Sequence, residues 1–319
     1  MKSLNQVDKL CIDTIRALSM DAVQQAGSGH PGAPMAMAPV MYTLWDRFLR
    51  HAPEEPDFPN RDRFVLSMGH ASMLLYSTLH LCGYELTLDD LKYFRQWGGK
   101  CAGHPEYGLA PGVEATTGPL GQGAGNSVGM AIAERWLAAH FNTPDHTIVD
   151  YAIYALCSDG DMMEGITSEA ASLAGHLGLS NLIWLYDSNG ITIDGKTEIA
   201  FSENVAVRFQ AYGWHVYHVH DANNLEELHV AIEQARDESM RPSLVIVNSE
   251  IGHGSPNRAG TPKAHGEPLG ADEVRLAKEA YGLDPDVHFD VPDRVSAHMG
   301  GGAKRRGAEM VADWRKRFD

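Results

Sequence analysis

A carboxylate and an amide side chain, thirty residues apart in the chain, have types that suit a shared metal ion. Asp159-Gly160-Asp161 and Asn189 each follow an apolar run rich in β-branched and aromatic residues. Carboxylate and amide oxygens are hard ligands, so the pair favours Mg²⁺ or Ca²⁺ over zinc, and Mg²⁺ keeps room for phosphate oxygens and water. A backbone carbonyl just beyond Asn189 can add a third ligand. The alternative is that Asp159 caps a helix starting near Met162 and that Asn189-Gly190 is only a turn.

A glycine-rich segment at Thr116–Gly123 leads into a predicted helix at Gly125–His140. Backbone N–H groups in such a turn can approach an anion, and the helix dipole favours negative charge there. The segment matches neither G-x-G-x-x-G nor G-x-x-x-x-G-K-[ST]. By itself it is therefore weak evidence for a bound diphosphate.

Four histidines lie next to glycine or between glycine and proline, namely His30, His70, His104 and His265. Histidine transfers protons and hydrogen-bonds hydroxyl groups near neutral pH. A single histidine of this kind is more often structural, whereas four are unusual unless they converge. Zinc is disfavoured because neither H-x-x-x-H nor H-E-x-x-H spacing occurs.

Two acids, Glu164 and Glu169, lie at the start of a helix predicted at Gly165–Leu177. A negative charge near a helix N-terminus is stabilised by the helix dipole. The residues alone leave this interpretation and a functional role equally open.

The elements that must position these side chains alternate along the chain. Short apolar runs predict strands, and segments with helical periodicity lie between them. The predicted strands are Arg63–Ser67, Tyr151–Cys157, Leu182–Tyr186, Trp214–Val219 and Leu244–Val247, and the main predicted helices are one before Gly27, Gly125–His140, Gly165–Leu177, Glu203–Tyr212 and Leu225–Ser239. This alternation predicts an α/β protein with an open, mostly parallel sheet.

Polar or glycine-rich residues follow every predicted strand. They are Gly69-His70, Asp159-Gly160, Asp187 to Gly190, His220-Asp221 and Glu250 to His253. Because the carboxyl ends of parallel strands meet at one edge of the sheet, we expect these residues to share one crevice. The alternative is that strand ends merely need turn residues, which explains glycine and asparagine but not the repeated histidine and aspartate.

Composition excludes several classes of function. The 319 residues carry a formal charge of −16, which disfavours general nucleic-acid binding and docking on anionic membranes. The first twenty residues contain Asp8, Lys9, Asp13 and Arg16, so they form no secretory hydrophobic segment, and no stretch approaches the roughly 20 apolar residues of a membrane span. Four widely spaced cysteines are typical of free thiols in a reducing cytoplasm.

The C-terminal segment differs in composition from the rest of the chain. Residues 283–302 are rich in proline, aspartate and glycine and predict a linker, and residues 304–319 resume a helical pattern. We therefore predict one domain over residues 1–282, followed by a linker and the start of a connecting helix. The chain ends at Asp319 without a cap or a turn, which favours a truncation before a further domain.

Taken together, the motifs resemble transketolase, a family of thiamine diphosphate enzymes. In the family's order, they are RALSMD at 16–21, SGHPGA at 28–33, DRFVLS at 62–67, GHPE at 103–106, TGPLGQG at 117–123, DGDMMEG at 159–165, YGW at 212–214 and HGEPLG at 265–270. The span from Asp159 to Asn189 corresponds to the thiamine diphosphate signature, with Ser158 where the family usually has glycine. The match covers nearly the whole chain and implies the thiamine diphosphate-binding fold, with helices on both faces of the sheet.

The resemblance also implies roles for individual residues. Asp159, Asn189 and the carbonyl of Ile191 would hold Mg²⁺, or Ca²⁺ or Mn²⁺, on the diphosphate. The residues that would line the cofactor are His70, Gly118, Pro119, Leu120, Gly160, Asn189 and His265. His30 and His265 would be catalytic and would bind the sugar hydroxyls with help from His104. Glu164 and Glu169 resemble acids at the family's dimer contact.

The implied reaction moves a two-carbon ketol group from a ketose phosphate to an aldose phosphate in the cytoplasmic pentose phosphate pathway. The cofactor supplies the difficult chemistry, and the protein supplies orientation and proton transfer. In the family, a second domain carries the carboxylate that activates the aminopyrimidine, and the complete enzyme is a homodimer. The chain would then be a fragment of a longer protein, which its C-terminal segment favours, or the first subunit of a split enzyme, and we expect it to be inactive in isolation. Alternatives are dihydroxyacetone synthase, deoxyxylulose-phosphate synthase and a catalytically incomplete cofactor-binding module.

Overall fold

The computed structural model describes residues 5–319, and the first four residues of the predicted domain lie outside this range. The described residues form one five-stranded sheet in the order β1-β2-β3-β5-β4, with every neighbouring pair parallel. The strands are β1 (Arg63–Leu66), β2 (Ile153–Ser158), β3 (Leu182–Ser188), β4 (His215–Val219) and β5 (Ser243–Asn248). The predicted strands and the open parallel α/β sheet are therefore confirmed.

The α-helices of the described residues surround this sheet. They are α1 (Gln6–Ala26), α2 (Gly32–Arg47), α3 (Ser72–Leu81), α4 (Leu88–Lys92), α5 (Gln122–Phe141), α6 (Asp159–Met163), α7 (Gly165–Leu177), α8 (Val205–Ala211), α9 (Leu225–Asp237), α10 (Ala271–Tyr281), α11 (Asp293–Val295) and α12 (Gly301–Phe318). None of the helices in residues 5–319 is long and apolar enough to cross a membrane. The predicted N-terminal helix ends as expected at Gly27, which has φ +65° and donates its N–H to the carbonyl of Gln24.

Helices cover both faces of the sheet because the central strands are apolar on both sides. Strand residues such as Leu156 and Val245 pack with α1, α2, α3 and α9 in one core. Their neighbours, such as Trp184 and Ile246, pack with α5, α7 and α8 in a second core on the opposite face. Continuous burial of this kind is what a parallel sheet between two helical layers requires.

The C-terminal segment departs from the sequence-based expectation. The sequence predicts a linker as far as Gly302, but helical structure begins at Asp293 and continues to Phe318 with one π-helical turn at Ser296–Gly300. The glycines here permit close packing instead of breaking the helix, since a Cβ on Gly307 would lie 2.7 Å from the Cα of Ala52. Met299 belongs to the larger core, so this helix packs on the preceding residues.

Candidate functional site

A cavity of about 390 Å³ lies at the carboxyl ends of β1, β2, β3 and β5. The predicted site residues that line it are His30, His70, His104, Gly118, Leu120, Asp159, Gly160, Glu164, Asn189, Ile191 and His265. The structure thus brings together residues from seven separate segments of the chain. The alternative in which strand ends merely carry turn residues does not account for this convergence.

Asp159 begins α6 at the end of β2 and is buried, with 4% of its surface exposed. Its carboxylate accepts hydrogen bonds from the hydroxyl of Tyr186 and, at 2.9 Å, from the backbone N–H of Gly190. Burial raises the pKa of Asp159 despite these bonds, and no basic side chain pairs with it in residues 5–319. The helix is capped by Ser158, so the interpretation of Asp159 as the cap is wrong.

Asn189 lies beside Asp159, in the turn that follows β3. Its Oδ1 accepts the N–H of Ile191 at 2.9 Å, and its Nδ2 donates to Oδ2 of Asp187 at 2.9 Å. Asp187 is fully buried and is also held by the hydroxyl of Ser249. Its pKa is raised to about 7, mainly by burial and further by the charge of Asp159. Asp187 therefore fixes the orientation of the Asn189 amide, a role that the sequence did not reveal.

Asp161 joins the three segments that surround Asp159. Its carboxylate accepts bonds from the hydroxyl of Ser67 at the end of β1 and from the N–H of Gly121, both at 2.7 Å. The same carboxylate accepts the N–H of Ser158 at 2.8 Å. These bonds hold the glycine-rich turn against the ends of β1 and β2, and they explain why that turn lies next to Asp159.

Glycines let the backbone approach closely where the cavity narrows. A Cβ on Gly160 would lie 2.7 Å from the side chain of Leu120, and Gly118 has φ +155° and faces the ring of His104. Backbone exposed in this way can reach a ligand without obstruction by a side chain. Pro119 in the same turn is exposed and does not line the cavity.

The four histidines converge as the sequence analysis expected. The ring centroids of His30, His70 and His265 lie 5.0–5.7 Å from one another, and His104 lines the same cavity. Close backbone packing makes this arrangement possible, since a Cβ on Gly32 would lie 2.4 Å from the carbonyl oxygen of Ala264. The loops that carry His30 and His265 are thereby pressed together.

These histidines are held in the neutral state. Burial, together with His265, Arg95 and His104, lowers the pKa of His30 to about 4, and burial lowers the pKa of His70, His104 and His265. The Nδ1 atoms of His30 and His265 are buried, and neither has a hydrogen-bond partner within residues 5–319. Neutral rings with unpaired nitrogens can accept or donate protons to a ligand.

Sequence reasoning missed part of the site. Arg95 lies close enough to His30 and His104 to lower their pKa values, and it has φ +60°, an uncommon conformation for a residue other than glycine. The side chains of Met163, Ile193 and Ile251 form an apolar part of the cavity wall. No local motif marks these residues, because their positions depend on tertiary packing.

Some of the expected strand-end residues lie elsewhere. His220-Asp221 follows β4, which is the outermost strand, and His220 binds Glu227 at the surface. Asp221 and His253 line a separate cavity with Arg16. The prediction of a single crevice for all five strand ends is therefore wrong for these residues. β4 lies beyond β5 at the edge of the sheet, and in the loop after β5 it is Ile251, not His253, that lines the crevice. Glu164 lines the cavity, whereas Glu169 is exposed outside it.

The donor set at Asp159 fits a hard cation. A buried carboxylate without a basic partner is costly unless a cation compensates it, and the amide of Asn189 and the carbonyl of Ile191 are oxygen donors beside it. In residues 5–319, no group of three or more His, Cys, Asp or Glu side chains is arranged to hold a metal ion. The fold and the cavity together define a parallel α/β protein with a cofactor site at the carboxyl edge of its sheet.

Comparison with known proteins identifies the family. Residues 7–319 match the family model described as transketolase, thiamine diphosphate binding domain, and the chain belongs to this family. It is 56% identical to transketolase from Geobacillus stearothermophilus over 98% of this chain, and 53% identical to transketolase from Bacillus subtilis over 99% of it. The resemblance read from the motifs is confirmed.

Solved structures agree with this assignment. The chain is similar to a Pichia stipitis transketolase in complex with sedoheptulose 7-phosphate, with a TM-score of 0.96 and 46% identity over 98% of this chain. It is also similar to transketolase from Campylobacter jejuni, with a TM-score of 0.94 and 44% identity over the same share. The chain spans about half the length of these relatives, between 46% and 48%.

Proposed function

We propose that this chain is the diphosphate- and metal-binding half of a transketolase, which transfers a two-carbon ketol group from a ketose phosphate to an aldose phosphate. The observation that carries the proposal is the placement of Asp159 and the Asn189 turn together, next to the glycine-rich segment at 118–123. Such an enzyme belongs to the pentose phosphate pathway. The four buried free cysteines support a reducing, cytoplasmic location.

Asp159, Asn189 and the carbonyl of Ile191 are the proposed metal ligands, with Mg²⁺ favoured over Ca²⁺ and Mn²⁺. Mg²⁺ takes few protein ligands and completes its octahedron with phosphate oxygens and water. The uncompensated charge of buried Asp159 supports a cation at this position. Asp187 would keep the Asn189 oxygen available by holding the amide nitrogen.

The remaining lining residues are proposed to hold the thiamine diphosphate. The N-terminus of α5 directs backbone N–H groups and a favourable dipole towards the turn at 118–121. The proposed cofactor contacts are His70, Gly118, Leu120, Gly160, Asn189 and His265. The apolar wall near Met163 and Ile251 suits an aromatic ring, while Asp159 and its neighbours suit the charged end.

Thiamine diphosphate, when bound, supplies the carbon nucleophile and the electron sink for cleavage of a carbon–carbon bond. His30 and His265 are proposed to exchange protons with the substrate hydroxyls through their free ring nitrogens. His104 is proposed to hydrogen-bond a further hydroxyl. Because all three rings are neutral, each can act as donor or acceptor according to its tautomer.

We propose that a second domain or subunit completes the site and that the complete enzyme is a homodimer. Large apolar side chains are exposed beside the cavity on α7, where 48% of Ile166, 46% of Leu173 and 47% of Leu177 remain accessible. A cluster of this kind is typical of an interaction surface. Glu164 and Glu169 lie on the same helical segment and are proposed contact residues.

The function is tested by assaying the purified chain with xylulose 5-phosphate and ribose 5-phosphate, alone and with a pyrimidine-binding domain that carries the activating glutamate. We expect no turnover by the chain alone and turnover with the added domain. His30→Ala and His265→Ala should reduce that turnover, whereas Lys304→Ala, on a distant exposed face, should not. Turnover by the chain alone would contradict the proposal. Faster reaction with formaldehyde or pyruvate as acceptor would assign the chain to a related enzyme.

A further inference from the structure

A second polar cavity lies at the opposite edge of the sheet, where the strands begin. Its volume is about 500 Å³, and its walls come from the segments just before β2 and β3 and from the C-terminal halves of α5 and α9. It shares no residue with the cavity at the carboxyl edge. We propose that this amino-edge cavity, built from Glu134, Asn181, Arg135 and Arg236, binds a sugar phosphate. The proposal does not depend on thiamine diphosphate binding.

The inner wall presents hydrogen-bond acceptors that lack donors. Glu134 is 5% exposed and accepts only the Nδ2 of Asn181, at 2.7 Å, among the described residues. That nitrogen also donates to the carbonyl of Ala131 at 3.1 Å, so the amide orientation is fixed. The Oδ1 of Asn181 is consequently buried without a partner in residues 5–319. Unpaired buried acceptors cost free energy unless a ligand or water supplies donors.

The outer wall carries two arginines, Arg135 and Arg236, in a cavity that Asp150 and Glu238 also line. Arg135 donates to the carbonyl of Gly178 and to the hydroxyl of Ser180, and Arg236 donates to the carbonyl of Phe48. Neither guanidinium forms an ion pair within the described chain, whereas the neighbouring Arg50 pairs with both Asp62 and Asp150. Free guanidinium groups at a cavity mouth match the oxygens of a phosphate.

The two walls together specify the ligand. Hydroxyl groups satisfy the inner acceptors, and a phosphate satisfies the arginines, so a phosphorylated polyol matches both ends. Burial raises the pKa of Glu134 to about 7, and a neutral hydroxyl suits this carboxyl group in either protonation state better than an ammonium group does. The volume lies within the range of small-ligand sites.

Calorimetric titration of the 319-residue chain with ribose 5-phosphate tests this site. We expect saturable binding of ribose 5-phosphate by the chain without thiamine diphosphate. The double variant Arg135→Ala/Arg236→Ala should weaken binding at least about tenfold, as expected for loss of charged hydrogen bonds. Glu134→Gln should weaken it by a smaller factor. Arg305→Ala, an exposed arginine on α12, is the matched control and should have no effect.

Titrations with other ligands distinguish a sugar phosphate site from a site for a sugar or for phosphate alone. D-ribose and inorganic phosphate should each bind at least about tenfold more weakly than ribose 5-phosphate, because each satisfies only one wall. Both arginines are exposed, so their variants should fold, and circular dichroism checks this. Absence of binding, binding that the arginine variants do not change, equal binding of inorganic phosphate, or tighter binding of glycine would each overturn the proposal. These results are independent of the ketol-transfer assay.

Discussion

The two edges of the sheet balance their charges in different ways. At the carboxyl edge, Asp159, Asp161 and Asp187 are buried and have no basic partner in residues 5–319. At the amino edge, Asp62 is equally buried but pairs with Arg50 at 3.0 Å. In a parallel sheet, the connecting helices begin at the carboxyl edge and end at the amino edge. Because a helix N-terminus carries partial positive charge, the carboxyl edge tolerates negative charge more readily. The carboxyl edge therefore carries buried negative charge that residues 5–319 leave uncompensated, and the proposed cation would balance it.

The two edges of the sheet also differ in the number of glycines that surround their cavities. Gly118, Gly121 and Gly190 adopt positive φ values around Asp159, and Gly123 lies so close to Ser67 that a Cβ would be 2.5 Å from its Cα. Because the glycines of this turn have no side chains, its backbone N–H groups can lie close to the cavity. The amino edge instead uses long side chains from α5 and α9. We expect substitutions at the two edges to have separable effects.

The largest effect is expected for Asp159→Asn. The variant removes the uncompensated buried charge, so the apo chain should keep or gain stability, but metal-dependent thiamine diphosphate binding should weaken at least about 100-fold. A ligand present at 100 times its Kd stabilises the fold by about 2.7 kcal/mol, so most of the ligand-induced rise in Tm should vanish. Differential scanning fluorimetry with and without ligands measures this. Asp89→Asn, an exposed control on α4, should behave as wild type.

A smaller loss is expected for Asp187→Ala. The carboxylate of Asp187 accepts a hydrogen bond from the amide nitrogen of Asn189. Removal of this carboxylate therefore frees the Asn189 side chain to rotate. Residues that orient a metal ligand typically contribute 10–100-fold to metal affinity. Titration with Mn²⁺ monitored by electron paramagnetic resonance measures this affinity directly. Ser249→Ala, which removes only the hydroxyl that supports Asp187, should cost less. Unchanged Mn²⁺ affinity in the Asp187 variant would show that Asn189 does not depend on it.

The buried histidines give the carboxyl edge a dependence on pH. The pKa of His30 is lowered from 6.5 to about 4 in the folded chain, so the unfolded chain binds the proton more readily between these values. The free energy of unfolding should therefore fall as the pH is lowered from about 6.5 to about 4. Replacement of His30 by asparagine should reduce this loss in the free energy of unfolding by an amount on the order of 1–3 kcal/mol. Urea unfolding of the wild-type and His30→Asn chains across this pH range measures the difference. An identical pH dependence of the free energy of unfolding in the two chains would contradict the prediction.

The smallest effect is expected for substitutions in the amino-edge cavity, measured by thiamine diphosphate binding at the carboxyl edge. Glu134→Gln and Arg236→Ala should leave thiamine diphosphate affinity within about twofold of wild type, because separated sites usually behave additively. Calorimetry in the presence of Mg²⁺ measures this. A change of tenfold or more would mean that the two edges are coupled through the sheet.

Sequence reasoning located the centre of the carboxyl edge for a physical reason. Parallel strands place their carboxyl ends at one edge, so Asp159 and Asn189 could be paired before any coordinates were known. The same reasoning misplaced His220, because no local pattern shows that β4 lies beyond β5 at the edge of the sheet. It misplaced His253 because the loop after β5 brings Ile251 to the cavity instead.

Other features were hidden for similar reasons. Asp187 and Arg95 act through contacts with residues distant in sequence, so neither carries a motif of its own. The helical start at Asp293 was missed because the glycines at 300–302 are typical of a linker, although in the folded chain they lie in the π-helical turn and the first turn of α12. Local composition therefore predicted the strands and the proximity of Asp159 to the Asn189 turn better than it predicted the packing around them.

The central claim is that Asp159 and Asn189 hold one divalent cation against the diphosphate of thiamine diphosphate. Isothermal titration of the chain with thiamine diphosphate, once in Mg²⁺ and once in excess chelator, tests it most directly. We expect measurable binding with Mg²⁺ and little or none with chelator. Equal affinity in the two titrations would contradict the claim, since the diphosphate would then be held without the ion.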